Sequence, residues 1–246
     1  MAKYDLHRPR LYLPGDLDAG VEVDLDRAQD NYLRNVLRLE AGAELLVFNG
    51  RDGEWAAELV SGARRGARIR LLRRTRAQPA APDLTLAFAP LKHARLDYMA
   101  QKAVEMGIGT MQPVLTRRTQ VARVSLERMW ANAIEAAEQC GILSVPVIEQ
   151  PLPLERWLAA LPPERVLIFC DEEAEIPDPL AALARAPAGP IAVLVGPEGG
   201  FDDQERGMLM GRARTVRLSL GPRVLRADTA AVAVLALVQA ARGDWR

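Results

Sequence analysis

Cysteine is scarce in this chain: Cys140 and Cys170 are the only two thiols in 246 residues. Two cysteines cannot make a disulfide framework for a chain this long, which points to reduced thiols in a cytoplasmic protein. Histidine is equally thin. With only His7 and His93 beside the two cysteines, no zinc-ligand spacing exists and no metal site is expected. Net charge is absent as well. The 32 basic side chains balance 32 acidic ones, which argues against a tail-driven nucleic-acid binder but leaves room for a local basic face. Long apolar runs are also missing. "AAVAVLALV", Ala230 to Val238, is too short to span a bilayer and reads as a buried helix, so no membrane partner is expected. The opening "MAKYDLHRPR" is charged and has no apolar core, so it is not read as a secretory signal.

What is present is apolar residue in quantity, 49% of the chain, enough for a substantial core in one large or two modest domains. Residues 1–76 read as β-rich. "ELLVFNGRDGEWAAELV" is strand, glycine-marked turn and strand, a hairpin. "ARIRLLRRTR" alternates like a half-exposed strand. "AQDNYLRNVLRL" reads as one short helix, with Tyr32, Leu33, Val36 and Leu37 on its apolar side. Short strands with one helix suggest a small barrel. "AQPAAPDL" marks the boundary, and residues 77–246 alternate strand with helix. "LTLAFAP", "TMQPVLT", "RVLIFC", "PIAVLVG" and "TVRLSLG" are the strands. "SLERMWANAIEAAEQCG" is a helix capped by Ser125, with Met129, Trp130, Ala133, Ile134 and Ala137 on one face. Asp202 and Glu205 have the spacing of a capping box, and Asp228 to Arg242 form the last helix. Apolar strands alternating with helices imply an α/β fold built on a parallel sheet covered on both faces.

Two segments follow strands of that sheet, where ligands bind in such folds. They are "LVGPEGGF", Leu194 to Phe201, and "LSLGPRVLRADTA", Leu218 to Ala230. Gly196, Gly199 and Gly200 permit close backbone approach, and a Cβ at Gly199 is expected to crowd the turn. A single glycine turn is as often a plain strand–helix connection. Two in succession, one with Glu198 and one with Pro-Arg, point to a site. Neither matches the dinucleotide or phosphate-loop fingerprints. A ligand with an adenosine and no phosphates fits better: Leu218, Leu220 and Leu225 form a slot, and the backbone around Gly221 and Pro222 meets an adenine edge.

These two segments resemble the motifs of the ribosomal RNA small subunit methyltransferase E family, G-P-E-G-G-[FLW] followed by L-G-x-[RN]-[IV]-L-R-x-E-T-A. "YLRNVLRLEAGAELLVFNGRDGEW", "QKAVEMGI" and "EAAEQCG" are similar to other family segments, so the likeness covers most of the chain. The resemblance implies a PUA-like β-barrel followed by a SPOUT-class domain whose C-terminus threads a trefoil knot. It implies S-adenosylmethionine as cofactor, methylation of N3 of a uridine in 16S rRNA, the small ribosomal subunit or its RNA as partner, and a homodimer. Two departures stand out. Asp228 replaces the family's usual glutamate, and "EQCGILSVP" lacks an arginine usually found soon after the glutamine.

On that resemblance, the cofactor contacts fall to Gly196, Glu198, Gly199, Gly200, Leu218, Leu220, Gly221, Leu225 and Arg226. The chemistry needs a proton acceptor and donors for the developing oxyanions. Arg226, Glu198 and Asp228 are the candidates. Each has a structural alternative: a salt bridge for Arg226, fixing of the glycine loop for Glu198, capping of the last helix for Asp228. RNA contact calls for cations. Arg64 to Arg76 holds seven arginines, of which Arg68 and Arg70 share an exposed face; a solvated, charge-protected edge strand is the alternative. Arg8, Arg10, Arg34, Arg38, Arg117, Arg118 and Arg123 extend the surface. Trp55, Trp130, Trp157 and Trp245 are expected in the core or an interface, and His7 and His93 on the surface. Rival readings keep RNA binding without activity, as a ribosome-assembly protein, or move the methyl group to another RNA.

Overall fold

The computed structural model describes residues 8–60, 66–121, 123–175 and 178–245. The chain divides into two compact units, Met1–Ala81 with Ala137–Val145, and Pro82–Ala136 with Pro146–Arg246.

The first unit contains β1 (Arg10–Tyr12), β2 (Glu22–Asp24), α1 (Arg27–Asn31), a π-helical turn (Tyr32–Val36), β3 (Glu44–Phe48), β4 (Glu54–Val60) and β5 (Arg68–Arg76). They form a five-stranded sheet in the order β1-β3-β4-β5-β2. The expected hairpin is β3–β4. Asn49 builds its turn: the side-chain oxygen accepts the N–H groups of Arg51 and Asp52, and the amide nitrogen donates to the Gly15 carbonyl at 2.9 Å. Leu11 and Leu13, Leu45 and Val47, Ala57 and Leu59, and Ile69 and Leu71 enter one apolar core, so the sheet curls around it. The short helix departs from the expected α pattern. Leu37 N–H donates to the Tyr32 carbonyl, an i→i+5 bond, which widens the turn. Leu33 is therefore buried while Val36 turns out to solvent, 61% exposed.

The second unit contains β6 (Leu84–Phe88), α2 (His93–Glu105), β7 (Thr110–Leu115), most of α3 (Leu126–Cys140), β8 (Val147–Ile148), β9 (Leu152–Pro153), α4 (Leu154–Ala160), β10 (Val166–Cys170), α5 (Pro179–Arg185), β11 (Ile191–Val195), α6 (Asp203–Gly211), β12 (Thr215–Leu218) and α7 (Ala227–Arg242). The sheet runs β12-β10-β11-β6-β7-β8, with β9 also pairing β7, and every pairing is parallel. Ile191 to Val195 is buried along its whole length, as a strand covered on both faces requires. The α/β class expected from the sequence is the observed one. Trp55 and Trp157 are core residues, but Trp130 and Trp245 are exposed. Helix α3 buries Met129, Ala133, Ala136 and Ala137, and at about 100° per residue Trp130 falls beside that stripe. His93 opens α2 on the surface; His7 lies outside the described residues.

Candidate cofactor pocket

The carboxyl ends of β10, β11 and β12 open into a cavity of about 510 Å³. Its walls are Cys170–Glu175, Val195–Phe201 and Leu218–Leu225, and Ala227 and Ala230 of α7 close it. This size suits a small organic ligand. Both glycine segments therefore meet in one site. Gly196, Glu198, Gly199, Gly200, Leu218, Leu220, Gly221 and Leu225 all line it. Arg226 and Asp228 do not: Arg226 is the exposed N-cap residue of α7, and Ala227 faces the cavity in its place.

Each glycine acts differently. A Cβ on Gly196 would come within 2.9 Å of the Phe201 ring, whose burial anchors the turn. Gly200 has φ +67°, and a Cβ there would strike the Glu172 carboxylate. Gly199 is tight but less so than the other two: its Cβ would meet the Arg118 side chain 3.3 Å away, so that side chain must give by a few tenths of an ångström. Gly221 has φ +104° and leads into a stretch whose backbone is uncommitted. Among the described residues, the N–H groups of Leu220, Arg223, Val224 and Leu225 donate to no backbone carbonyl. Leu218 is fully buried beneath this stretch, and Leu220 and Leu225 are partly covered. Apolar walls with unpaired amides match the donor set an adenosine needs.

The acidic side of the cavity escaped the sequence reading. "DEEAE", Asp171 to Glu175, follows β10 directly, at the same strand end as the glycine segments. The Asp171 side chain is completely buried and accepts Arg217 Nε at 2.8 Å and Arg206 Nε at 3.3 Å. Arg206 also pairs with Glu172 and Glu173 at 3.2 and 2.9 Å. Burial, with the Asp171 charge beside it, pushes the Cys170 thiol up to about 12, so this cavity residue stays neutral.

Glu198 is exposed at the rim, and neither it nor the exposed Arg226 has a hydrogen-bond or ion-pair partner among the described residues. Asp228 is not the cap of α7. It sits inside the first turn, where its carboxylate accepts the Thr229 N–H at 3.0 Å. Arg117 pairs with Asp202 at 3.0 Å, and its N–H donates to the buried Glu205. Arg118 donates to the Gly199 carbonyl at 2.5 Å. In the first unit, Arg10 is a correction: its side chain is 3% exposed and ion-paired to Glu54 at 3.1 Å, so it is withdrawn from any RNA-facing surface. Arg8 pairs with Glu44, Arg34 with Asp30, Arg68 with Glu22 and Asp24, and Arg70 with Glu22. Arg38 is exposed, at φ 56°. Arg123 is exposed; Arg64 and Arg65 lie outside the described residues.

A parallel sheet with a glycine-walled cavity at its carboxyl edge, joined to a curled β unit, defines a two-unit α/β protein built to hold a nucleoside-like ligand. Residues 78–239 match the RNA methyltransferase domain family and residues 25–72 the RNA methyltransferase PUA domain. The chain is 30% identical over 234 residues to the ribosomal RNA small subunit methyltransferase E of Rickettsia conorii, covering 94% of each protein. It is 34% identical over 224 residues to that of Synechocystis, covering 89% of this chain and 73% of the relative. The crystal structure of the Neisseria gonorrhoeae enzyme of that name, bound to S-adenosyl methionine, superposes with a TM-score of 0.85 at 30% identity, covering 98% of this chain and all of that one. A putative methyltransferase from Legionella pneumophila, in complex with the same cofactor, gives 0.82 at 29% identity, covering 96% and 98%. The chain belongs to the ribosomal RNA small subunit methyltransferase E family.

Proposed function

We propose that this chain transfers the methyl group of S-adenosylmethionine to N3 of a uridine in 16S rRNA. The observation that carries this reading is the convergence of both glycine segments on one cavity with apolar walls and unpaired amides. When bound, S-adenosylmethionine supplies an electrophilic methyl on a sulfonium. The amides and carbonyls of 219–225 would hold the adenine edge, and Leu218, Leu220 and Leu225 would cover the ring. The base must be unstacked to reach this cavity. Glu198 accepts the N3 proton, and Arg226 donates to the uracil oxygen that gains charge, since each is exposed and uncommitted. Asp228 shapes the start of α7 and is a weaker candidate for the proton.

The family resemblance extends the proposal. The segment after β12 threads a trefoil knot; α7 packs on α2 and on β11, across the sheet from β12, a path compatible with threading. A second copy of the chain covers the half-buried Val232, Ala236 and Leu237 of α7. Among the described residues no helix is long and apolar enough to cross a membrane. On the family resemblance the enzyme works in the cytoplasm, on the small subunit or its RNA. The test is mass-spectrometric mapping of 16S rRNA from a deletion strain, with calorimetric titration of S-adenosylmethionine. Loss of one N3-methyluridine supports the assignment. An unchanged 16S rRNA with normal cofactor binding moves the substrate to another RNA. No binding at millimolar cofactor leaves an RNA-binding assembly protein.

A further inference from the structure

Strand β5 keeps its alternation for only half its length. Ile69 and Leu71 enter the core while Arg68 and Arg70 face out, opposite Asp24 and Glu22 of β2. Those acids neutralise them: Arg68 Nε lies 2.5 Å from Asp24, and Arg70 Nη2 3.1 Å from Glu22. Pairing with β2 stops at Arg70. Beyond it the register against β4 slips twice. Leu71 faces Ala57 but Arg73 faces Ala56; Arg74 faces Trp55 but Arg76 faces Glu54. Leu72 and Thr75 are the extra residues of two bulges, and a bulge re-aims the side chains around it. Leu72, Arg73 and Arg74 are exposed in succession.

A buried carboxylate pins this irregular register. Glu54 is 3% exposed. Its Oε1 accepts the Thr75 hydroxyl at 2.9 Å, and its Oε2 accepts Arg10 Nε at 3.1 Å and Arg76 Nη1 at 3.3 Å. Two guanidiniums are thereby drawn inward, and Arg73 and Arg74 are left pointing out. Neither has a hydrogen-bond or ion-pair partner among the described residues. Paired arginines have their charge offset already; these two do not. Planar guanidinium forks suit phosphodiester oxygens in bidentate contact.

We propose that the bulged half of β5 is the RNA-docking edge of the first unit, with Arg73 and Arg74 on backbone phosphates. The proposal rests on the reading of the chain as an rRNA methyltransferase. It moves the contact away from Arg68 and Arg70, the arginines that alternation alone selects. Phosphate contacts release counterions, so each steepens the salt dependence of binding. The test compares the full chain with its Arg73→Gln/Arg74→Gln and Arg68→Gln/Arg70→Gln variants. The probe is 16S rRNA transcribed in vitro, titrated between about 50 and 200 mM salt. Losing two phosphate contacts flattens the slope of log K against log salt by about 1.4 for single-stranded RNA and weakens binding roughly tenfold or more. Cofactor affinity, measured in parallel, stays at the parent value, and Arg73→Lys/Arg74→Lys restores most of the slope. The Arg68/Arg70 variant shows the smaller change. Parent-like slope and affinity in Arg73→Gln/Arg74→Gln would overturn the proposal. A parent that binds neither 16S rRNA nor cofactor would instead overturn the underlying reading, and this edge with it.

Discussion

Asp171 and Arg217 tie the ends of two neighbouring parallel strands together, carboxylate to Nε at 2.8 Å. The backbone repeats the link, with Asp171 N–H donating to the Leu218 carbonyl at 3.0 Å. Arg206 reaches the same carboxylate from α6 and grips Glu172 and Glu173. One buried anion thus organises the wall that faces the glycine loop.

Asp171→Asn is expected to remove the charge that two guanidiniums share. Breaking a buried pair from one side costs about 3 kcal/mol; Arg217 loses its ion-pair partner, while Arg206 keeps Glu172 and Glu173. Urea denaturation should show a loss of that order. Titration of the variant while still folded should show weaker S-adenosylmethionine binding with RNA affinity unchanged. Parent-like stability would mean that solvent replaces the carboxylate, and the wall would need another anchor.

Gly200→Ala should weaken cofactor binding more than Gly199→Ala. Position 200 combines φ +67° with the Glu172 carboxylate where a Cβ would lie. A left-handed alanine costs roughly 1 kcal/mol before any clash. Position 199 has no positive φ to strain it and asks that the Arg118 stem shift by a few tenths of an ångström. Equal affinities for the two variants, by calorimetry, would place the ligand away from this turn.

Thiol labelling separates the two cysteines. Cys140 is exposed, whereas the Cys170 thiol is raised to about 12 by burial and then by Asp171. At pH 8 only about one Cys170 in ten thousand is thiolate. The native protein should react at one equivalent quickly with a disulfide reagent and at the second far more slowly, because the partly buried Cys170 is almost entirely thiol. Two equally fast equivalents would contradict the raised Cys170 thiol.

Acid stability should depend on Asp202. Its carboxyl is held below the ordinary 3.8, first by the Glu205 N–H and then by Arg117. A group depressed in the folded state contributes stability above its unfolded value, and that contribution is lost as pH falls through the folded value. Asp202→Ala should therefore lose stability at neutral pH and narrow its gap to the parent below about pH 3. A constant gap across that range would show that Asp202 acts through its shape alone.

The features legible in the sequence were those whose cause is local. The Asp202–Glu205 capping box needs only a three-residue spacing, and both of its hydrogen bonds form. The β3–β4 hairpin needs only its turn residues. The glycine segments could be placed at one end of the sheet because parallel strands end together. What stayed hidden depends on partners far along the chain. Arg10 finds Glu54 across 44 residues, and Arg68 finds Asp24 by strand pairing, so neither could be told from a free arginine. The bulges at Leu72 and Thr75 and the π turn at Tyr32–Val36 shift a register, which a periodicity cannot show. The family's pattern also hides the difference between lining and adjacency. Arg226 stands next to the cavity-lining Ala227 but is not itself among the residues that line the cavity.

That difference defines the roles of Arg226 and Glu198. A residue outside the cofactor wall that donates to the uracil oxygen should affect the chemical step and spare cofactor affinity. Arg226→Ala is expected to lower kcat by about a hundredfold, the typical loss for one oxyanion donor, with the S-adenosylmethionine dissociation constant within twofold of the parent. Arg226→Lys keeps the charge and should recover part of the rate. Glu198→Gln should also lower kcat, and if the carboxylate takes the N3 proton, the rate should rise with pH more steeply in the variant, because hydroxide then replaces the missing base. A parent-like pH profile and rate in Glu198→Gln would return Glu198 to shaping the loop. A large fall in cofactor affinity in Arg226→Ala would place the guanidinium in cofactor binding and not on the uracil oxygen.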